Sequence, residues 1–107
     1  MNVETNNNIK CTLALGGLYH VIDPEIGLNV VDLGLIYQLQ FEENPDKVHC
    51  IMTLTTEFCP MGESIVGGVK DSLEAAFPNH GIEVELTFEP AWGHERISED
   101  GRQFLNL

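Results

Sequence analysis

Hydrophobic positions along this chain follow two rhythms, helical spacing in some stretches and strict alternation in others. Between Ile9 and Ile22, the residues Cys11, Leu15, Leu18 and Ile22 recur at i, i+4, i+7 and i+11, which places them on one face of a helix. Gly16 and Gly17 weaken that helix and suggest that another backbone packs close there. Asp23-Pro24-Glu25-Ile26-Gly27 then breaks it, because a residue before proline is pushed out of the α region. Ile26, Leu28, Val30, Val31 and Leu33 make Asp23 to Gly34 too apolar for free solvent, so this stretch reads as an ordered loop.

Leu35 to Glu42 alternates, with Leu35, Tyr37, Leu39 and Phe41 expected to face inward. Glu43-Asn44-Pro45-Asp46 is turn chemistry, and Lys47 to Thr55 alternates again through Val48, Cys50, Met52 and Leu54. Together they predict a β-hairpin. Pro60 to Phe77 returns to helical spacing through Ile65, Val69, Leu73 and Ala76, with Gly67 and Gly68 as a second candidate close contact. Ile82 to Glu89 is the clearest strand, and Ser98 ahead of Glu99 and Asp100 reads as the N-cap of a short C-terminal helix. The prediction is an α+β fold in the order α-β-β-α-β: a three-stranded sheet with the helices on one face, and a short C-terminal helix. Residues 1–8 read as a disordered tail and 9–107 as a single domain.

Composition narrows the function. A net charge of −12, with five Lys and Arg, would repel nucleic acid and anionic membrane, leaving basic or neutral proteins as partners. No apolar run approaches a membrane span, and Glu4 stands where a signal peptide would carry Lys or Arg. Three cysteines, an odd number without a C-x-x-C, make no disulfide framework, so the expected location is the cytoplasm.

Cys59 is the leading candidate for chemistry. Pro60 follows it, and proline favours the first helical position, so Cys59 is expected at a helix N-cap. Unpaired N–H groups and the helix dipole there would favour thiolate, the form that binds metal or attacks an electrophile. A small buried residue at a helix start is the plainer reading. Cys50 and Cys11 fall on apolar faces and read as core. His20, His49, His80 and His94 lack ligand spacing, so a structural zinc site within one chain is not expected, while a metal or cluster shared between copies through Cys59 stays open. Gly62 to Val69 begins like a phosphate loop but lacks the following Lys and Ser/Thr, and no Ser lies in a nucleophile elbow. Asp23, Glu25 and Asp32 could serve as acids or bases, although loop carboxylates more often form caps and turns. Thr55 and Thr56 could bond a ligand or fix their own turn. Trp92 reads as a packing residue.

Three stretches together resemble the SufT/PaaD-like iron–sulfur cluster assembly domain family. They are Val21-Ile22-Asp23-Pro24-Glu25-Ile26-Gly27 running into Val31-Asp32-Leu33-Gly34-Leu35-Ile36-Tyr37, then Thr53-Leu54-Thr55-Thr56-Glu57-Phe58-Cys59-Pro60-Met61, then Pro90-Ala91-Trp92 with Arg96-Ile97-Ser98-Glu99-Asp100-Gly101-Arg102. The similarity covers about Ile9 to Leu107 and implies the minimal single-domain form, without the Cys-rich C-terminal extension of the phenylacetate-degradation branch. It implies a non-enzymatic maturation factor serving iron–sulfur assembly machinery and apo iron–sulfur proteins, with a transient iron–sulfur cluster or iron as cargo. Cys59 would be the functional thiol, and Asp23, Glu25, Thr55 and Thr56 would line its site. Two other readings stay open: a protein-interaction module in which Cys59 only caps a helix, and a small thiol-dependent enzyme. The open edges of a three-stranded sheet also leave a homodimer open.

Overall fold

The chain runs β1 (Glu4–Thr5), α1 (Asn8–Leu18), β2 (Ile22–Asp23), β3 (Leu28–Asn29), β4 (Ile36–Glu42), β5 (Lys47–Met52), α2 (Gly62–Ala76) and β6 (Gly81–Leu86). A 3-10 turn at His94–Arg96 and α3 (Glu99–Leu105) follow. The structure is a computed structural model and describes residues 3–58 and 60–107. The class is α+β.

β4 and β5 form the expected antiparallel hairpin, with Leu39 opposite Cys50 and Phe41 opposite Val48. β6 adds to β5 in parallel, setting Val48 against Ile82 and Cys50 against Val84. These residues share one face of the sheet. That face packs with Leu15 and Leu18 of α1 and with Ile65, Val69 and Leu73 of α2 in one apolar cluster. Leu18, Leu39, Val48, Val69 and Leu73 are fully buried, each worth roughly 1.5–3 kcal/mol relative to exposure.

The sheet has four strands in the order β1-β4-β5-β6, rather than the expected three. The added strand comes from the stretch expected to be a disordered tail, so that expectation is corrected for its described residues. Glu4 and Thr5 pair in parallel with Gln38 and Leu39. The Asn6 side chain then continues the ladder: Nδ2 donates to the Phe41 carbonyl and Oδ1 accepts the Phe41 N–H, both at 2.9 Å. Asn7 caps α1 by accepting the Lys10 N–H at 3.0 Å. A polar side chain standing in for backbone carries no hydrophobic rhythm, which is why the tail read as frayed.

Several boundaries also shift. α1 stops at Leu18, and Ile22 leaves the helical stripe to join β2, where it is 49% exposed. In β4 the register with β5 jumps between Ile36 and Gln38. Ile36 is buried and Tyr37 is not, reversing the expected alternation there. A bulge of this kind re-aims one side chain, in this case Tyr37. The glycine pairs divide: a Cβ on Gly17 would lie 2.7 Å from Ser72 Oγ and one on Gly68 would lie 3.1 Å from Val21, whereas Gly16 and Gly67 face open space.

Candidate functional site

One end of the sheet collects the segments that the sequence singled out. β4 starts where β5 stops, because Ile36 pairs with Met52. The loop leading into β4 and the turn leaving β5 therefore emerge together, and the Thr53 N–H ties them by donating to the Leu35 carbonyl at 2.9 Å. β6 ends at the same edge, with Leu86 opposite Met52, and sends the Pro90 to Leu107 segment back over it.

The loop is built by its polar residues. Asp23 is 1% exposed, and its Oδ1 accepts the Glu25 N–H at 2.9 Å. Its carbonyl accepts from Ile26 at 3.3 Å and from Gly27 at 2.7 Å, which closes a tight turn. Glu25 itself is exposed. Further on, the side chains of Asp32 and Asn29 hold each other, with Asn29 Nδ2 donating to Asp32 Oδ2 at 2.7 Å and the Asp32 N–H donating to Asn29 Oδ1 at 2.8 Å. Ser98 Oγ donates to the other Asp32 oxygen at 2.7 Å, and Ser98 in turn caps α3 by accepting the Gly101 N–H at 3.0 Å. Asp32 is thus a clamp between the loop and the C-terminal segment. The same segment is held by Trp92, whose Nε1 donates to the Leu33 carbonyl at 2.6 Å, in keeping with a packing role.

From β5 the chain climbs out of the core. Thr53 is fully buried, Thr55 half-buried, and Thr56 and Glu57 exposed. Thr56 Oγ1 accepts the Phe58 N–H at 3.3 Å, so this hydroxyl fixes its own turn. Phe58 is 88% exposed and Met61, beyond Pro60, is 38% exposed. Cys59 lies outside the described residues. The N-cap of α2 is Met61, with φ −98° and ψ 9° and no side-chain cap, rather than Cys59. Turn structure extends through Pro60 and Met61, so the helix opens later than proline at its first position would require.

The structure brings Asp23 and Glu25 together, and it brings their loop and the Thr55–Thr56 turn to one end of the sheet. No hydrogen bond or ion pair joins the two pairs among the described residues. Nor does any group of three or more His, Cys, Asp or Glu stand close enough to hold a metal ion among those residues. The other thiols belong to the core. Burial pushes Cys50 up to about 12 and raises Cys11, the latter partly offset by a hydrogen bond with Thr5. Both shifts disfavour the thiolate, the reactive form.

The sequence reading missed Arg96 and Tyr37. The Arg96 guanidinium carbon sits 4.4 Å above the Tyr37 ring, and Arg96 lines two cavities at this end of the sheet. Neither cavity is lined by Asp23, Glu25, Thr55 or Thr56. Arg96 stood inside the third motif as one of only five cations in the chain, and that scarcity was the available signal.

Fold and site together define a small α+β domain that presents an ordered acidic loop and the turn through Thr55, Thr56, Glu57 and Phe58 at one end of its sheet. The chain belongs to the iron–sulfur cluster assembly protein family, whose model matches residues 14–86. It is 36% identical over 93 residues to the Fe-S protein maturation auxiliary factor YitW of Bacillus subtilis, covering 87% of this chain and 90% of that one. It is 38% identical over 89 residues to the Fe-S protein maturation auxiliary factor SufT of Staphylococcus aureus, covering 81% and 98%. Among solved structures, a domain of unknown function from Bacillus anthracis superposes with a TM-score of 0.83 at 36% identity, covering 94% of this chain and 93% of that one. A conserved hypothetical protein of Thermotoga maritima does so with a TM-score of 0.76 at 36% identity, covering 90% and 93%. Among the described residues, no helix is long and apolar enough to cross a membrane.

Proposed function

We propose that this protein is a cytoplasmic maturation factor for iron–sulfur proteins, acting as adapter or transient carrier rather than as an enzyme, with Cys59 as its functional thiol. The observation that carries the reading is the family match over residues 14–86, joined by relatives that are themselves named Fe-S protein maturation auxiliary factors. The site's form supports it. Cys50 and Cys11 are buried in the core, which leaves Cys59 as the remaining thiol, and its sequence neighbours Phe58 and Pro60 are exposed.

In this reading the cluster or iron is cargo. Cys59 would share the cargo with ligands from a second copy, the assembly machinery or the receiving apo-protein. Thiolate is the form required for that ligation. Asp23 would act by shaping the loop beside the site, since its carboxylate is spent on the Glu25 N–H.

The exposure of Phe58 favours a second reading, in which the turn is purely a protein-docking point. An aromatic at 88% exposure is a suitable anchor. Complementation separates the two. In cells deleted for this protein and grown under high iron–sulfur demand, aconitase activity is expected to return with wild type and to stay low with Cys59→Ala. Full rescue by Cys59→Ala together with failure of Phe58→Ala would overturn the thiol role and leave the docking module.

A further inference from the structure

β6 is an edge of the sheet, bonded to β5 on one side and to no strand on the other among the described residues. Its inner side is fixed at both ends. The Gly81 N–H donates to the Asp46 carbonyl at 3.0 Å, and the Thr87 N–H donates to the Met52 carbonyl at 2.8 Å. Main-chain groups alternate sides along a strand, so Gly81, Glu83, Glu85 and Thr87 bond toward β5. Ile82, Val84 and Leu86 therefore turn their N–H and C=O groups outward, and among the described residues no hydrogen bond meets them. The edge is also regular: β5 and β6 stay in register from Lys47 and Gly81 to Met52 and Leu86, without a bulge or a proline. Such an edge is a template for one more strand.

The two faces of that template differ. Ile82 and Val84 lie opposite Val48 and Cys50 and pack against the core, and Leu86 on the same face is 42% exposed. Glu83 and Glu85 take the open face, where Lys47 meets Glu83 at 2.9 Å and His49 meets Glu85 at 3.1 Å. Both glutamate side chains stay more than half exposed. Just past the strand, Glu85 and Glu89 line one cavity with Glu4 and Arg96. Around this face Glu4, Glu83, Glu85 and Glu89 thus outnumber the permanent cations Lys47 and Arg96. A second copy is a poor occupant. Antiparallel pairing of two β6 edges would gather Glu83 and Glu85 of both copies on one face, between chains that each carry −12.

We propose that the free edge of β6 docks an extended segment of a partner protein in which Lys or Arg alternates with apolar residues. The segment's backbone pairs with the outward groups of Ile82, Val84 and Leu86. Its cations lie beside Glu83 and Glu85, and its apolar side chains extend the row of Ile82, Val84 and Leu86. The two glutamates thereby bar self-pairing and admit a cationic strand. This surface is independent of the maturation role proposed for Cys59.

The test is a titration of the full chain with the peptide acetyl-Lys-Val-Arg-Val-Lys-Val-Arg-amide, followed by amide shifts and hydrogen exchange. Controls are the same residues with cations and valines in separate blocks, and an alternating Glu-Val peptide. Saturating alternating cationic peptide should slow exchange at Ile82, Val84 and Leu86 at least about tenfold, and neither control should. Val84→Pro should abolish binding, because proline is tolerated where its missing N–H faces out of an edge but offers an incoming strand no donor. Glu83→Gln with Glu85→Gln should weaken binding at least about fivefold, as for two exposed ion pairs, and decides the matter if Val84→Pro does not fold. No protection at these amides, equal protection by either control peptide, or undiminished binding in the Gln variant overturns the proposal. So does protection in the chain alone that rises with its concentration, which would assign the edge to a second copy.

Discussion

Gly34 is the residue on which the site end of the molecule turns. Its φ of +78° is a conformation that L side chains rarely adopt, and the Arg96 carbonyl occupies the space a Cβ would need. Gly34→Ala combines left-handed strain with overpacking and should destabilise the fold by about 3 kcal/mol, read as a lowered urea midpoint. A change within about 0.5 kcal/mol, the range of an ordinary surface substitution, would contradict the packing described. At this scale the sequence was informative about composition and silent about aim. Cys11 and Cys50 were legible as core because alternation and helical spacing put them there. Tyr37 was not, because a bulge is a one-residue slip that leaves no trace in the hydrophobic pattern.

Among the elements, the hairpin, the two longer helices and the short C-terminal helix were all legible, since each carries a strong rhythm or a side-chain cap. β1 was hidden, being two residues long and extended by an asparagine side chain. The start of α2 was misplaced because Cys-Pro is an attractive helix opening in isolation, whereas here turn residues continue to Met61. The loop and the C-terminal segment act as one unit through Asp32. Asp32→Ala removes the bonds from Asn29 and Ser98, both at 2.7 Å, and with them the clamp. The expected loss is about 2 kcal/mol, accompanied by a change in fluorescence of Trp92, whose indole is tied to Leu33 in the same unit. Unaltered stability and emission would show that the clamp is redundant.

For the molecule as a whole, charge sets the pH response. The open face of the sheet carries the Lys47–Glu83 pair. Glu83 is held below the usual carboxylate value of 4.5, first by the hydrogen bond from Lys47, then by its charge and that of His49. Lys47 is held above its usual 10.5, first by the same hydrogen bond. A lowered carboxyl stabilises the fold above its unfolded pKa and loses that contribution as pH falls through the folded value. The raised amine stabilises below 10.5 and loses its contribution as pH rises through the higher folded value. Lys47→Met should therefore lower the urea midpoint slightly at neutral pH, and the difference should vanish as pH falls through the lowered folded value of Glu83. A difference that persists below it would place the effect in packing instead.

The candidate site was legible as motifs and only partly as geometry. The loop and the turn meet at one end of the sheet, yet the Asp23 and Asp32 carboxylates are engaged in shaping the loop. Thr56 likewise fixes its own turn. The central claim, maturation of iron–sulfur proteins through Cys59, is tested most directly by following radioactive iron into a client. Cells that depend on this protein would be labelled with iron and aconitase immunoprecipitated, with wild type or Cys59→Ser supplied at equal levels. The account predicts iron in aconitase with wild type and little with Cys59→Ser, at unchanged aconitase protein. Equal iron in both would contradict it.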